Sequence, residues 1–167
     1  MNISEEKFAE IVETHQSRIK HLCKVYTNRA QDEKDLFQEI LIQIWKSLPS
    51  FKGDAEISTW MYRIGVNTAI SFIRKKKTRE GYYSSYQKEK DNDGTDYYEH
   101  KYSRQDERTQ KLYKAIDKLN VLEKAIITMY LDDFSYREIG FVTDMTENYV
   151  GVKLNRIKKK LSKVIDD

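Results

Sequence analysis

The sequence predicts an all-α protein of two small helical domains, an N-terminal helical bundle and a C-terminal helix-turn-helix four-helix domain, joined by a flexible linker. Three observations carry that expectation. Apolar residues recur at helical spacing through residues 8–73 and again through 112–161. Glycine is scarce and Pro49 is the sole proline among 167 residues, so few positions forbid a helix. Between the two periodic halves, from Arg74 to Lys111, there is no Ala, Val, Ile, Leu, Met, Phe or Trp.

Ser4 is a suitable cap for the first helix, with Glu5 and Glu6 well placed in its first turn. Phe8, Ile11, Val12, His15, Ile19, Leu22, Cys23 and Tyr26 follow on one stripe. A second helix opens near Asp32 and carries Leu36, Ile40, Ile44 and Trp45 before closing ahead of Pro49, with Leu36 and Trp45 expected in the core. A turn at Gly53-Asp54 feeds a third helix from about Ser58 to Lys77, its Trp60, Met61, Ile64 and Ile73 facing inward. These three make the first domain, residues 1–77.

Residues 78–109 read as linker, with tyrosines as their only large apolar groups. A segment that buries no aliphatic surface has little to offset its chain entropy. As a coil of roughly 35 residues it spans about 30 Å on average, enough to place two domains on separate sites. The second domain, 110–167, resumes with short helices around Ala115 and Ile126. Ser135 and Glu138 then form a capping box, Thr143-Asp144-Met145 a tight turn, and Thr146 caps a last helix through Val150, Leu154, Ile157 and Leu161. Helix, short turn and helix of this size make a helix-turn-helix.

Composition narrows the chemistry. A net charge of +3 says little about partners, because the distribution matters more than the sum. One cysteine, Cys23, excludes an intramolecular disulfide, and neither a transmembrane-length apolar run nor a signal peptide is present, so the expected location is cytoplasmic. His15, His21, His100 and Cys23 lack metal-ligand spacing, and no nucleophile–base set or phosphate-binding Gly-rich loop stands out. No enzyme activity, metal or cofactor is expected.

Nucleic acid is the partner the charges suggest. Phe51, Trp60, Tyr62, Arg63 and Asn67 precede an unbroken basic run, Arg74-Lys75-Lys76-Lys77. Stacking aromatics, a base-edge reader and phosphate-neutralising cations thus share one short element, the combination that binds single strands. In the last helix the charges from Val150 to Val164 are Lys153, Arg156, Lys158, Lys159, Lys160 and Lys163, with no acid among them. Such a face repels itself unless an anion lies opposite, and Glu147, Asn148 and Tyr149 at its N-terminus are placed to meet base edges. The second helix differs: Asp32, Glu33, Asp35, Gln38, Glu39 and Gln43 suit a basic protein rather than DNA.

The chain resembles the extracytoplasmic-function (ECF) sigma factors of bacterial RNA polymerase. Asp35-Leu36-Phe37-Gln38-Glu39 with Trp45 resembles the family's polymerase-binding helix, Phe51 to Arg74 its promoter-melting and −10-reading region, and Leu119 to Leu161 its −35-reading helix-turn-helix. The resemblance implies that Asp35, Gln38 and Glu39 meet the clamp helices of the polymerase's largest subunit. It implies −10 contacts by Phe51, Trp60, Arg63, Asn67 and Arg74 to Lys77, with a base pocket on the loop from Phe51 to Ser58. It implies −35 contacts by Arg137, Glu147, Asn148, Tyr149, Lys153, Arg156 and Lys158. It further implies an anti-sigma partner, a monomer when free of it, and a linker that threads the polymerase cleft. Asp144 and Asp133 stand where the family commonly has Gly. A stand-alone DNA-binding regulator and a protein-binding adaptor are the alternatives: the first leaves Phe51 to Arg74 idle, the second both basic elements.

Overall fold

The computed structural model describes residues 3–83, 102 and 106–167. Among them are seven α-helices: α1 Glu5–Tyr26, α2 Ala30–Ser47, α3 Ile57–Tyr83, α4 Glu107–Ile116, α5 Val121–Leu131, α6 Tyr136–Thr143 and α7 Glu147–Asp166. Five of the seven helix starts are fixed by a side chain that takes up a backbone N–H left free by helix geometry. Ser4 accepts from Lys7, Asp106 from Thr109 and Thr146 from Tyr149. Reciprocal capping boxes, Asn120 with Glu123 and Ser135 with Glu138, open α5 and α6.

In the first module α1, α2 and α3 pack on one another in pairs. Leu36, Ile40 and Ile44, four residues apart along α2, are fully buried, and they meet Ile19, Leu22 and Cys23 of α1 and Met61, Tyr62 and Val66 of α3. In the second, α7 lays Val150, Leu154, Ile157 and Leu161 against the other three helices. Asp144 closes α6 in the left-handed conformation at φ 56°, and Asp133 adopts φ 63° ahead of it.

Several expectations change. Helix α3 runs to Tyr83 rather than Lys77, and α4 starts at Glu107, so both reach into the assigned linker. The reason is that Arg, Lys and Glu are good helix formers. Lack of aliphatic side chains prevents burial, not helix formation. Tyr102, also assigned to the linker, is 4% exposed and stacks on Tyr113 with ring centres 4.6 Å apart. The flexibility expected for the rest of the linker lies outside the described residues. Trp45 is not core: it is 41% exposed and meets the ring of Phe8 edge-on at 4.9 Å.

The two modules are also not held apart. α3 packs on α6, α1 packs on α5, and the buried residues of both modules form one continuous apolar cluster. Tyr62 of α3 rests on Phe134 at 5.0 Å, with the Arg18 guanidinium 4.3 Å above the same ring. Tyr26 donates its hydroxyl to the Val121 carbonyl. His21 places Nδ1 3.0 Å from both carboxylate oxygens of Asp132 and Nε2 2.7 Å from the Tyr113 hydroxyl.

Candidate nucleic-acid and partner interfaces

Helix α2 presents Asp35 and Gln38 to solvent, with Glu39 half-buried beside them. Their spacing follows from the buried Leu36–Ile40–Ile44 stripe: whatever flanks it on a 3.6-residue period must face outward. Asp35 accepts from the Gln31 amide at 2.8 Å and Glu39 from the Gln43 amide at 3.0 Å. Both acids also line a groove of about 620 Å³ between α2 and α3.

The opposite wall of that groove comes from α3 and includes Asn67, Thr68, Ser71, Lys75, Lys76 and Arg79. Asn67 is exposed, and its two amide donors and its carbonyl are free to meet a base edge. Lys76 crosses the groove to pair with Asp32 of α2. Asp35 and Glu39, expected to meet the polymerase, and Asn67, Lys75 and Lys76, expected to hold DNA, therefore share one cleft, whereas Gln38, Arg74 and Lys77 do not line it. Arg79, Thr68 and Ser71 were missed in the sequence. Arg79 lies one helical turn beyond Lys75, and only the early helix end assigned at Lys77 concealed it.

Phe51, Trp60 and Arg63 do not line this groove, and Tyr62, expected among the stacking aromatics, is fully buried against Phe134 and cannot meet a base. Phe51 and Trp60 are half-buried against each other, with ring centres 4.9 Å apart. Arg63 turns toward the second module, where its Nη2 lies 3.2 Å from Asp144 Oδ1 and its guanidinium 4.9 Å from the centre of the Phe141 ring. One turn earlier, the Thr59 hydroxyl donates to Glu138 at 3.0 Å. Arg74, Lys75 and Lys77 are exposed.

On α7 the exposed side lies opposite the Val150–Leu154–Ile157–Leu161 stripe and carries Glu147, Asn148, Tyr149, Val152, Asn155 and Arg156. Val152 and Asn155 were passed over in the sequence, although counting outward from the buried stripe finds both. Lys153 lies 5.8 Å above the Tyr149 ring, and Arg137 is exposed on the first turn of α6. The all-cationic helix is less one-sided than its sequence. Lys160 pairs with Glu123 of α5, and Lys158 donates to the Tyr130 hydroxyl at 3.1 Å. Burial by itself would push the Glu123 carboxyl up, yet the Lys160 hydrogen bond, the Asn120 N–H and the charges of Lys160 and Lys153 hold it below its ordinary value.

No helix among the described residues is long and apolar enough to cross a membrane, and no group of three or more His, Cys, Asp or Glu there could hold a metal ion. Burial pushes the Cys23 thiol up to about 12, which leaves it a packing residue rather than a nucleophile.

A helical bundle followed by a helix-turn-helix is matched by two family descriptions in the same order. Sigma-70 region 2 covers residues 11–79 and Sigma-70 region 4 covers residues 109–161. The chain belongs to the sigma-70 class of RNA polymerase sigma factors, proteins that recognise promoters. Among curated relatives it is 28% identical to the ECF RNA polymerase sigma factor SigW of Bacillus subtilis, over 98% of this chain and 91% of that one. It is 26% identical to the ECF RNA polymerase sigma-E factor of Escherichia coli K12, over 94% of this chain and 85% of that one. In fold it is similar to the sigma factor RpoE from Bartonella quintana, solved in complex with the anti-sigma factor NepR, at TM-score 0.75 and 15% identity over 96% of this chain and 98% of that one. Within the class, the chain is an ECF sigma factor.

Proposed function

We propose that this sigma factor binds core RNA polymerase through the outer face of α2 and opens the promoter with the α2–α3 groove and the loop before α3. In this reading Asp35, Gln38 and Glu39 meet basic residues of the polymerase clamp. Asn67 takes a base edge, Phe51 and Trp60 supply the aromatic junction, and Arg74 to Lys77 hold the backbone. Helix α7, with Arg137 of α6, grips the −35 duplex: Glu147, Asn148 and Tyr149 lie toward the bases and Lys153, Arg156 and Lys158 toward phosphates. The observation that carries the proposal is the α2–α3 cleft itself, an exposed amide between cations on an element matched to Sigma-70 region 2.

Binding energy is the only drive this mechanism uses. Turning a base out of the stack costs a few kcal/mol. Aromatic stacking of ~1–3 kcal/mol per base, with hydrogen bonds to the captured edge, offsets it. Structural relatives at low identity were solved with anti-sigma factors bound, RpoE with NepR and CnrH with the cytosolic domain of CnrY. An anti-sigma protein is accordingly proposed as a second partner, with the protein acting where polymerase does, in the cytoplasm.

The test is open-complex formation by core polymerase plus this chain, followed as fluorescence of a base analogue in the −10 region. A core-dependent, sequence-selective rise is expected. Asn67→Ala should weaken it about ten-fold, as loss of a base-edge pair worth ~1–3 kcal/mol requires. Absence of any rise across a promoter library, with tight duplex binding by the free chain, would defeat the proposal.

A further inference from the structure

We infer that α7 reads A·T pairs of the −35 element directly: the Asn148 amide takes the major-groove edge of an adenine, and Val152 packs on a thymine methyl about two base pairs away. The inference rests on the −35 role proposed above for α7 and names the sequence that role selects. It is carried by the order of side chains along the outermost line of the helix. Counted at about 100° per residue from the buried stripe Val150–Leu154–Ile157–Leu161, Val152 lies about 10° and Asn148 about 30° from the direction that faces straight out. Tyr149 lies about 70° and Glu147 about 130° from it. Lys159 and Lys163, both exposed, continue the line toward the end of the helix.

The line therefore changes character along its length. Its C-terminal half is cationic, as a face set against phosphates should be. Its N-terminal half carries no charge: it offers an amide and a branched apolar side chain, both exposed, Val152 at 45%. Base edges rather than phosphates have use for these two groups. The asparagine amide presents one donor and one acceptor in the pattern that matches N6 and N7 of adenine, and the apolar feature of the major groove is the thymine methyl. Four residues of helix rise about 6 Å, close to two base-pair steps of about 3.4 Å, so the two contacts fall on separate pairs.

The fold itself has no use for either residue. Asn148 makes no side-chain hydrogen bond among the described residues, because the cap of α7 is Thr146, which accepts from the Tyr149 N–H at 3.2 Å. Asparagine and valine are weaker helix formers than the lysines and arginine that follow them. At exposed positions packing recovers little of that cost. The flanking residues do have local roles. Glu147 sets a negative charge in the first turn, where the helix dipole favours one, and the Tyr149 ring lies under the Lys153 ammonium at 5.8 Å. Asn148 and Val152 are then what the N-terminal end of the recognition helix holds out to a groove.

The experiment uses core polymerase reconstituted with the full chain, which selects bound fragments from duplexes randomised over the length of a promoter. The upstream block is expected to hold an adenine and, about two pairs away, a thymine. Changing that adenine should weaken binding by the original protein about ten-fold, as loss of a bidentate contact to a base requires. In Asn148→Ala the same change should cost nothing measurable. Asn148→Arg should move the preference at that pair from adenine to guanine, whose O6 and N7 a guanidinium takes in bidentate fashion. Val152→Ala should flatten the preference at the thymine pair alone. Both positions are exposed, and the downstream block, assigned to α3, should stay as the original protein selects it. An upstream block that is unchanged in Asn148→Ala and Asn148→Arg overturns the inference while leaving the −35 role with α7, the sequence then being read through DNA shape or by other side chains. A G·C pair where the adenine is expected overturns it equally. An original protein that selects a downstream block and no upstream one removes the −35 role itself, and the inference falls with it.

Discussion

Gly140 tests how the turn of the helix-turn-helix sets the angle of α7. A Cβ added there would lie 2.4 Å from the carbonyl oxygen of Met145, about 1 Å inside ordinary C···O contact of roughly 3.3–3.6 Å. The obstacle is backbone, not the end of a flexible side chain. That backbone is pinned on both sides, because the Met145 N–H donates to the Gly140 carbonyl at 3.0 Å and Asp144 between them is already left-handed. Gly140→Ala therefore forces the turn apart. Overpacking of this kind costs about 3 kcal/mol, and the better helix propensity of Ala returns about 1 kcal/mol. A net loss of about 2 kcal/mol corresponds to a fall in Tm of roughly 4–8 °C for a chain of this size. Gly151, one helix on, is the control. A Cβ there meets the Tyr136 ring at 3.5 Å, an ordinary contact, so Gly151→Ala should keep or raise stability. Thermal unfolding followed by circular dichroism measures both, and binding of a −35 duplex below the transition shows whether α7 is re-aimed. If Gly140→Ala melts with the original protein, the close approach of α6 to the turn is not what fixes the motif.

Two further outcomes follow from the exposed face of α7 and from its acidic partners. Val152 is 45% exposed between Asn148 and Arg156, and the apolar feature of a major-groove edge is the thymine methyl. Replacing single −35 thymines by deoxyuridine should weaken binding about four-fold at one position, the equivalent of ~0.8 kcal/mol for one buried carbon, and Val152→Ala should abolish that sensitivity; equal sensitivity in both proteins would reject the contact. Glu123 and Glu138 are held below the ordinary carboxylate value of 4.5: burial opposes this at each, but Lys160 and the Asn120 N–H prevail at Glu123, and Ser135, Thr59 and Arg18 at Glu138. Because both are depressed in the folded protein, their stabilisation is complete above the unfolded pKa and is lost as pH falls through the folded one. The Tm of Glu123→Gln should thus lie below that of the original protein at neutral pH and converge with it as pH falls through the lowered folded-state pKa of Glu123; parallel curves would show that Glu123 contributes only through packing.

The sequence made legible what is periodic or local. The stripe Leu36–Ile40–Ile44 and the stripe Val150–Leu154–Ile157–Leu161 are repeats of three or four residues, and they are buried as that period requires. The Ser135–Glu138 box is a signal within one turn, and both its bonds form. Trp45 misled because hydrophobicity gives no direction: it follows Ile44 on α2, and the turn that buries Ile44 leaves its neighbour on the rim beside Phe8. Tyr102 misled for a related reason. A lone tyrosine in a polar stretch has no period to read, and only the fold shows Tyr113 waiting to stack on it. The packing of one module on the other rests on pairs such as Arg63 with Asp144 and His21 with Asp132, 81 and 111 residues apart. No repeat or spacing announces a contact between single polar residues at that separation.

The same blindness explains why the charges were misjudged. Summed along the chain, the cations of α3 and α7 look like bare phosphate receptors. Folded, three of them face carboxylates on neighbouring helices: Lys76 meets Asp32, Lys160 meets Glu123 and Arg63 meets Asp144. Each DNA phosphate must displace an existing partner to reach these three, so the gain per contact is the difference between two ion pairs rather than the whole of one. For Lys76 the displaced partner belongs to α2, the helix proposed to meet polymerase. A basic polymerase surface that engages α2 would compete for Asp32 and leave Lys76 to the promoter strand. For Arg63 the displaced partner is the −35 module itself. Under the proposed mechanism, binding of DNA at Lys76 and Arg63 is therefore coupled to whatever draws Asp32 and Asp144 away from them.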